Sequence, residues 1–125
     1  MYSNRLAGNW GIADVRDSTL SVSQLSSPPH DLIDAQRTAI RGRSAGGYTS
    51  LAALCAFPDA FAAAASYYGI SDLKKLDEFT HKFESRYCEG LLGGTVQEKG
   101  EVYEERSPVN NADKIKSPLL VSVSF

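Results

Sequence analysis

Six consecutive residues, Gly42-Arg43-Ser44-Ala45-Gly46-Gly47, have the types and spacing to present a nucleophile. A serine in Gly-x-Ser-x-Gly spacing fits a sharp turn from a strand into a helix, which lifts the hydroxyl clear of the sheet. Glycine is expected on both flanks, because the turn brings strand and helix backbones together and a Cβ there would clash. The helix that follows points its N-terminus at the serine, so the Ala45 N–H can face a developing oxyanion. Such a site would perform acyl transfer. The competing reading is a glycine-rich turn without catalysis.

A serine hydroxyl is a poor nucleophile at neutral pH and needs a histidine base oriented by a carboxylate. Chains built around this turn run in the order Ser, Asp or Glu, His. Only His30 and His81 are present. His30 precedes Ser44 and follows Pro28-Pro29 in a polar stretch, which predicts a solvated surface histidine. His81 follows Ser44, with Asp59, Asp72 and Asp77 between. It falls inside a charged helical stretch, Lys74 to Arg86, next to Lys82, which predicts a non-catalytic role.

The elements around the motif read as alternating helix and strand. Asp14 to Leu25 has helical spacing of Val15, Thr19 and Val22, with Asp14 and Asp17 near the start, where the helix dipole favours anions. Ser26-Ser27-Pro28-Pro29 ends it, and a polar connection runs from His30 to Arg37. Thr38 to Gly42 predicts a short buried strand. Gly46-Gly47 opens a helix over Tyr48 to Ala56, stopped by Phe57-Pro58-Asp59. Phe61 to Tyr68 is alanine-rich but ends in two tyrosines and predicts a strand. Ser71-Asp72 caps the charged helix that continues through Arg86. Gly90, Gly93 and Gly94 predict a loop, Glu101 to Arg106 a short helix, and Leu119 to Val123 a last strand. This alternation argues for an α/β fold with parallel strands.

The composition is that of an ordinary globular protein: 125 residues, 42% hydrophobic, 22% charged and a net charge of −2. No basic excess points to nucleic acid. No apolar run approaches the roughly 20 residues of a membrane span, so no membrane partner is expected. The N-terminus lacks the apolar core of a signal peptide, which predicts a cytoplasmic protein. Cys55 and Cys88 form neither a CxxC nor a Cys/His cluster and read as reduced thiols. No metal or cofactor is implied.

Several separated segments resemble the prolyl oligopeptidase family of serine peptidases, particularly its acylaminoacyl-peptidase and dipeptidyl-peptidase-like branch. Arg41 to Tyr48 looks like the family's active-serine segment. Asn9 to Asp17 is similar to its W-G-x-x-D-x-x-D helix entry, and Asp34 to Ile40 to its D-x-x-R-x-A-I turn and strand. Thr80 to Tyr87 resembles a segment well beyond the elbow, which places His81 outside the triad. Arg106-Ser107-Pro108 resembles the following R-S-P turn, and Asn111 to Leu120 the lead into the next strand.

The resemblance implies one partial α/β-hydrolase domain over residues 1–125, with a mostly parallel sheet that lacks the first strands and the C-terminal Asp and His segments. Ser44 would be the acylated nucleophile and Ala45 a backbone oxyanion donor, the second donor coming from a segment before Met1. Tyr67 and Tyr68 fall where the family lines its substrate pocket, with core aromatics at a strand end as the alternative. Tyr87 is a weaker pocket candidate, and Trp10 is expected to anchor the helix entry. The implied activity is hydrolysis of short peptides through an acyl-enzyme. The chain alone is expected to turn over weakly or not at all. Two alternatives stand beside it: a non-catalytic product that only binds a partner, and an esterase or lipase of the same fold. Sheet edges left unpaired are expected to promote self-association.

Overall fold

The computed structural model describes residues 5–80 and 87–123. Its sheet has three parallel strands, β1 (Ala39–Arg43), β2 (Ala63–Tyr67) and β3 (Leu119–Ser122), in spatial order β1-β2-β3. Parallel neighbours need crossover connections, usually helical. Helix α2 (Ala45–Ala56) makes the first crossover, preceded in the chain by α1 (Ala13–Leu25). Three helices make the second: α3 (Leu73–Thr80), α4 (Tyr87–Leu92) and α5 (Val96–Glu105), followed by a 3-10 segment, Pro108–Lys114.

Helix α2 is the centre of the molecule. Its sequence, Ala-Gly-Gly-Tyr-Thr-Ser-Leu-Ala-Ala-Leu-Cys-Ala, is small or apolar almost all round, and eight of its residues are buried. A helix with no polar face must be covered on most sides. Here β1, β2, α1 and the 3-10 segment all pack on it. Gly47 permits a close approach to the end of β2: a Cβ there would lie 2.7 Å from Gly69 Cα, just beyond the strand. Ser66 on β2 donates to the Gly47 carbonyl at 3.2 Å, tying strand to helix.

The residues before α1 are locked by motifs remote from each other in sequence. Trp10, 4% exposed, lies against Tyr48 with ring centroids 4.4 Å apart. The Arg106 guanidinium donates to the carbonyls of Gly8 and Trp10 at 3.0 and 3.1 Å. The Tyr48 hydroxyl donates to the Arg106 carbonyl at 3.0 Å. Asp14 is buried and accepts from the Gly11 N–H and the Thr49 hydroxyl, both at 2.6 Å. Trp10 thus anchors the helix entry, as the sequence implies.

The second crossover is organised by Ser107, fully buried, which donates to the Tyr103 carbonyl at 2.6 Å and accepts from the Leu73 N–H at 2.9 Å. Asp72 caps α3 by accepting from Lys74 N–H at 3.0 Å and Lys75 N–H at 3.2 Å. The described part of α3 ends at Thr80, so the predicted continuation through Arg86, with His81, lies outside the described residues.

Two expectations change. Gly90 belongs to α4 rather than to a loop, whereas Gly93 takes φ +88° and does leave the helix. Helix α5 begins at Val96, not Glu101, because the Thr95 side chain accepts from Glu98 N–H and caps a first turn. Non-helical angles at Lys99 divide it from the remainder, which coincides with the predicted helix. No described helix is long and apolar enough to cross a membrane.

Candidate active site

Ser44 stands between the last residue of β1 and the first of α2, at the C-terminal edge of the parallel sheet. Its backbone takes φ 53° and ψ −115°, a region that side-chain-bearing residues seldom occupy. Two bonds hold it there: its N–H donates to the Tyr67 carbonyl, and its carbonyl accepts from the Tyr48 N–H, both at 3.0 Å. The side chain is exposed. A strained serine at a strand-to-helix turn is the geometry expected of Gly-x-Ser-x-Gly.

The steric demand is one-sided. A Cβ on Gly42 would meet the Gly46 carbonyl oxygen at 2.1 Å and its Cα at 2.8 Å. A Cβ on Gly46 would meet nothing within 4 Å. The expected clash at both flanks therefore holds only for Gly42, because the two backbones touch along Gly42's Cβ direction while Gly46's points away from the strand.

Ala45 opens α2, where backbone N–H groups have no intrahelical acceptor. Its amide and the positive end of the helix dipole thus lie beside the serine, the arrangement that stabilises an oxyanion. Tyr67 and Tyr68 reach the same edge. Tyr67 is opposite Arg43 in the sheet register and half-buried. Tyr68 is 49% exposed, has φ 53°, and donates its N–H to the Ser122 carbonyl at 2.7 Å. Neither is a core aromatic. Tyr87 opens α4 and is 47% exposed. Its helix packs with α3 and α5 rather than with the strand ends that hold Ser44.

His30 is exposed in the loop between α1 and β1, which enters the sheet from the N-terminal edge. Ser44 leaves β1 at the opposite edge, so the two are not brought together. Cys55 and Cys88 are free and buried, and burial pushes both thiols above their ordinary range. No group of three or more His, Cys, Asp or Glu among the described residues is placed to hold a metal ion.

An open cavity of about 350 Å³ beside the turn is lined by Arg41, Gly42, Arg43 and Tyr67. Sequence reasoning treated both arginines only as parts of the motif. The signal was their i, i+2 spacing, which puts both on one face of a strand.

The sequence profile of the prolyl oligopeptidase family matches residues 1–125. A dipeptidyl aminopeptidase BIII from Pseudoxanthomonas mexicana is 36% identical over 107 residues, covering 73% of this chain and 16% of the relative. A puromycin-hydrolysing peptidase from Mycobacterium tuberculosis superposes with a TM-score of 0.84 at 44% identity, over 94% of this chain and 17% of that structure. A puromycin hydrolase superposes with a TM-score of 0.86 at 36% identity, over 96% and 18%. The chain thus spans about one sixth of the length of these relatives. The three-stranded parallel sheet is part of an α/β-hydrolase fold. The chain belongs to the prolyl oligopeptidase family of serine peptidases.

Proposed function

We propose that Ser44 is the nucleophile of a peptidase that hydrolyses short peptides through an acyl-enzyme. The carrying observation is the Ser44 backbone, held at φ 53° where β1 turns into α2. The Ser44 Oγ attacks the scissile carbonyl, and the oxyanion forms beside the Ala45 N–H. Collapse of the tetrahedral intermediate expels the amine and leaves an ester on Ser44, which water then hydrolyses. Tyr67 and Tyr68 flank the acyl group at the strand ends, and Tyr87 is the more remote pocket candidate. The names of the relatives, a dipeptidyl aminopeptidase and puromycin hydrolases, support small amide substrates.

The proton on Ser44 must pass to a base. Among the described residues His30 belongs to the loop that enters the sheet from the other edge, and the resemblance sets His81 outside the triad. The 125-residue chain alone is therefore expected to react slowly. Loss of a triad member leaves about 10³–10⁴-fold over the uncatalysed reaction in a complete scaffold. A fluorophosphonate probe tests the assignment. In a polypeptide that carries this segment within the full family domain, labelling should be rapid, map to Ser44 by mass spectrometry, and vanish in Ser44→Ala. Rapid labelling that persists in Ser44→Ala would remove Ser44 from the mechanism.

A further inference from the structure

The Ser44 turn has a cationic side that the reaction itself does not use. Arg41 and Arg43 alternate with Ile40 and Gly42 on β1, and both are exposed while Ile40 and Gly42 are half-buried. The Gly42 face lies against α2, since a Cβ there would strike Gly46. Arg41 and Arg43 therefore share the opposite face, together with Tyr67, which is opposite Arg43 in register. These three side chains and Gly42 line the 350 Å³ cavity. Neither guanidinium has a hydrogen-bond or ion-pair partner among the described residues. The nearer one belongs to the residue directly before Ser44, about 3.8 Å away along the backbone.

Two unpaired arginines beside an aromatic ring form a site of definite chemistry. The guanidinium fork matches a carboxylate bidentately, and two such groups on one strand face can share one anion. The ring of Tyr67 supplies the apolar wall that short peptides need. We infer that Arg43, supported by Arg41, forms an anion-selective subsite next to Ser44, which directs the enzyme toward short peptides carrying a carboxylate close to the scissile bond. This inference rests on the assignment of Ser44 as nucleophile for its location but not for its test, which reads binding alone.

The test uses the Ser44→Ala form of the chain, checked for native secondary structure by circular dichroism, and calorimetric titration with three ligands. These are acetyl-glutamate amide, with a side-chain carboxylate; acetyl-glutamine, with a C-terminal carboxylate; and acetyl-glutamine amide, which is neutral. At least one charged ligand should bind tenfold or more tightly than the neutral one, and which of the two does so identifies the carboxylate recognised. The preference should fall to within twofold in Arg43→Gln and in the Arg41→Gln/Arg43→Gln pair, and it should shrink as salt is raised. Arg43→Lys, which keeps the charge but loses the fork, should retain an intermediate preference. Equal binding of all three ligands, no binding of any, or a preference unchanged in the double variant would overturn the subsite. Loss of fluorophosphonate labelling at Ser44 bears on the nucleophile assignment and leaves these binding outcomes intact.

Discussion

Ser44 carries a backbone conformation that costs free energy, on the order of 1–3 kcal/mol for a residue with a Cβ. Glycine lacks that penalty. Ser44→Gly is therefore expected to be more stable than Ser44→Ala by about 1 kcal/mol in urea unfolding, since alanine keeps the strain. Equal stability of the two variants would mean that the turn relaxes without its serine. Residue types and spacing made this position legible, because Gly-x-Ser-x-Gly states its own geometry. The asymmetry between Gly42 and Gly46 was not legible. It depends on which way each Cβ vector points once strand and helix have packed, and spacing alone does not contain that direction.

Among the elements, α2 decides the most, and Tyr48 is the residue through which it holds the others. Burial, and then the Asp14 carboxylate, push the Tyr48 phenol well above its ordinary value of about 10. The unfolded chain releases this proton near pH 10, while the folded chain retains it. Above that pH the unfolded state binds fewer protons, so stability is full below pH 10 and declines as pH rises further. Tyr48→Phe should cost about 1 kcal/mol at pH 7, because the Arg106 carbonyl loses its donor. The same variant should show a shallower loss of stability above pH 10 in pH-dependent urea titrations. An alkaline limb identical to that of the parent would assign the loss to other groups.

The elements themselves were largely readable. The predicted helix from Asp14, the strand into Gly42 and the final strand from Leu119 all appear within a residue or two. The predictions failed where a side chain acts on distant backbone. Thr95 capping a first turn ahead of Lys99 lengthens α5, and Gly90 is accommodated inside α4. The roles of Trp10, Arg106 and Ser107 came from resemblance and geometry together. Their partners lie up to 98 residues away, beyond the reach of any local pattern.

At the scale of the whole molecule, the sheet has two outer strands and an open face. Among the described residues β3 pairs with β2 alone, and Leu120, Val121 and the adjoining Val123 are 58, 53 and 60% exposed. An apolar edge with unpaired N–H and C=O groups is a template for another strand. Sedimentation velocity should show this chain associating as concentration rises, and Leu120→Lys with Val121→Lys should shift it toward monomer. A concentration-independent monomer in the parent would count against edge pairing. The relatives are about six times as long, and an exposed apolar edge of this kind is also suited to joining a larger sheet.

The Arg106 clamp has a consequence for the order in which the molecule can be made. Its guanidinium closes on the carbonyls of Gly8 and Trp10, so the stretch before α1 is fastened by the residue that caps the end of α5. A ribosome adds roughly 5–20 residues per second. Arg106 follows Trp10 by 96 positions, so it is added roughly 5–20 s later at that rate. Tyr48 precedes Arg106 in the chain, so within that interval the indole of Trp10 gains its ring partner before its backbone lock. The Gly8–Trp10 stretch of the nascent chain therefore stays unfastened until Arg106 has been added.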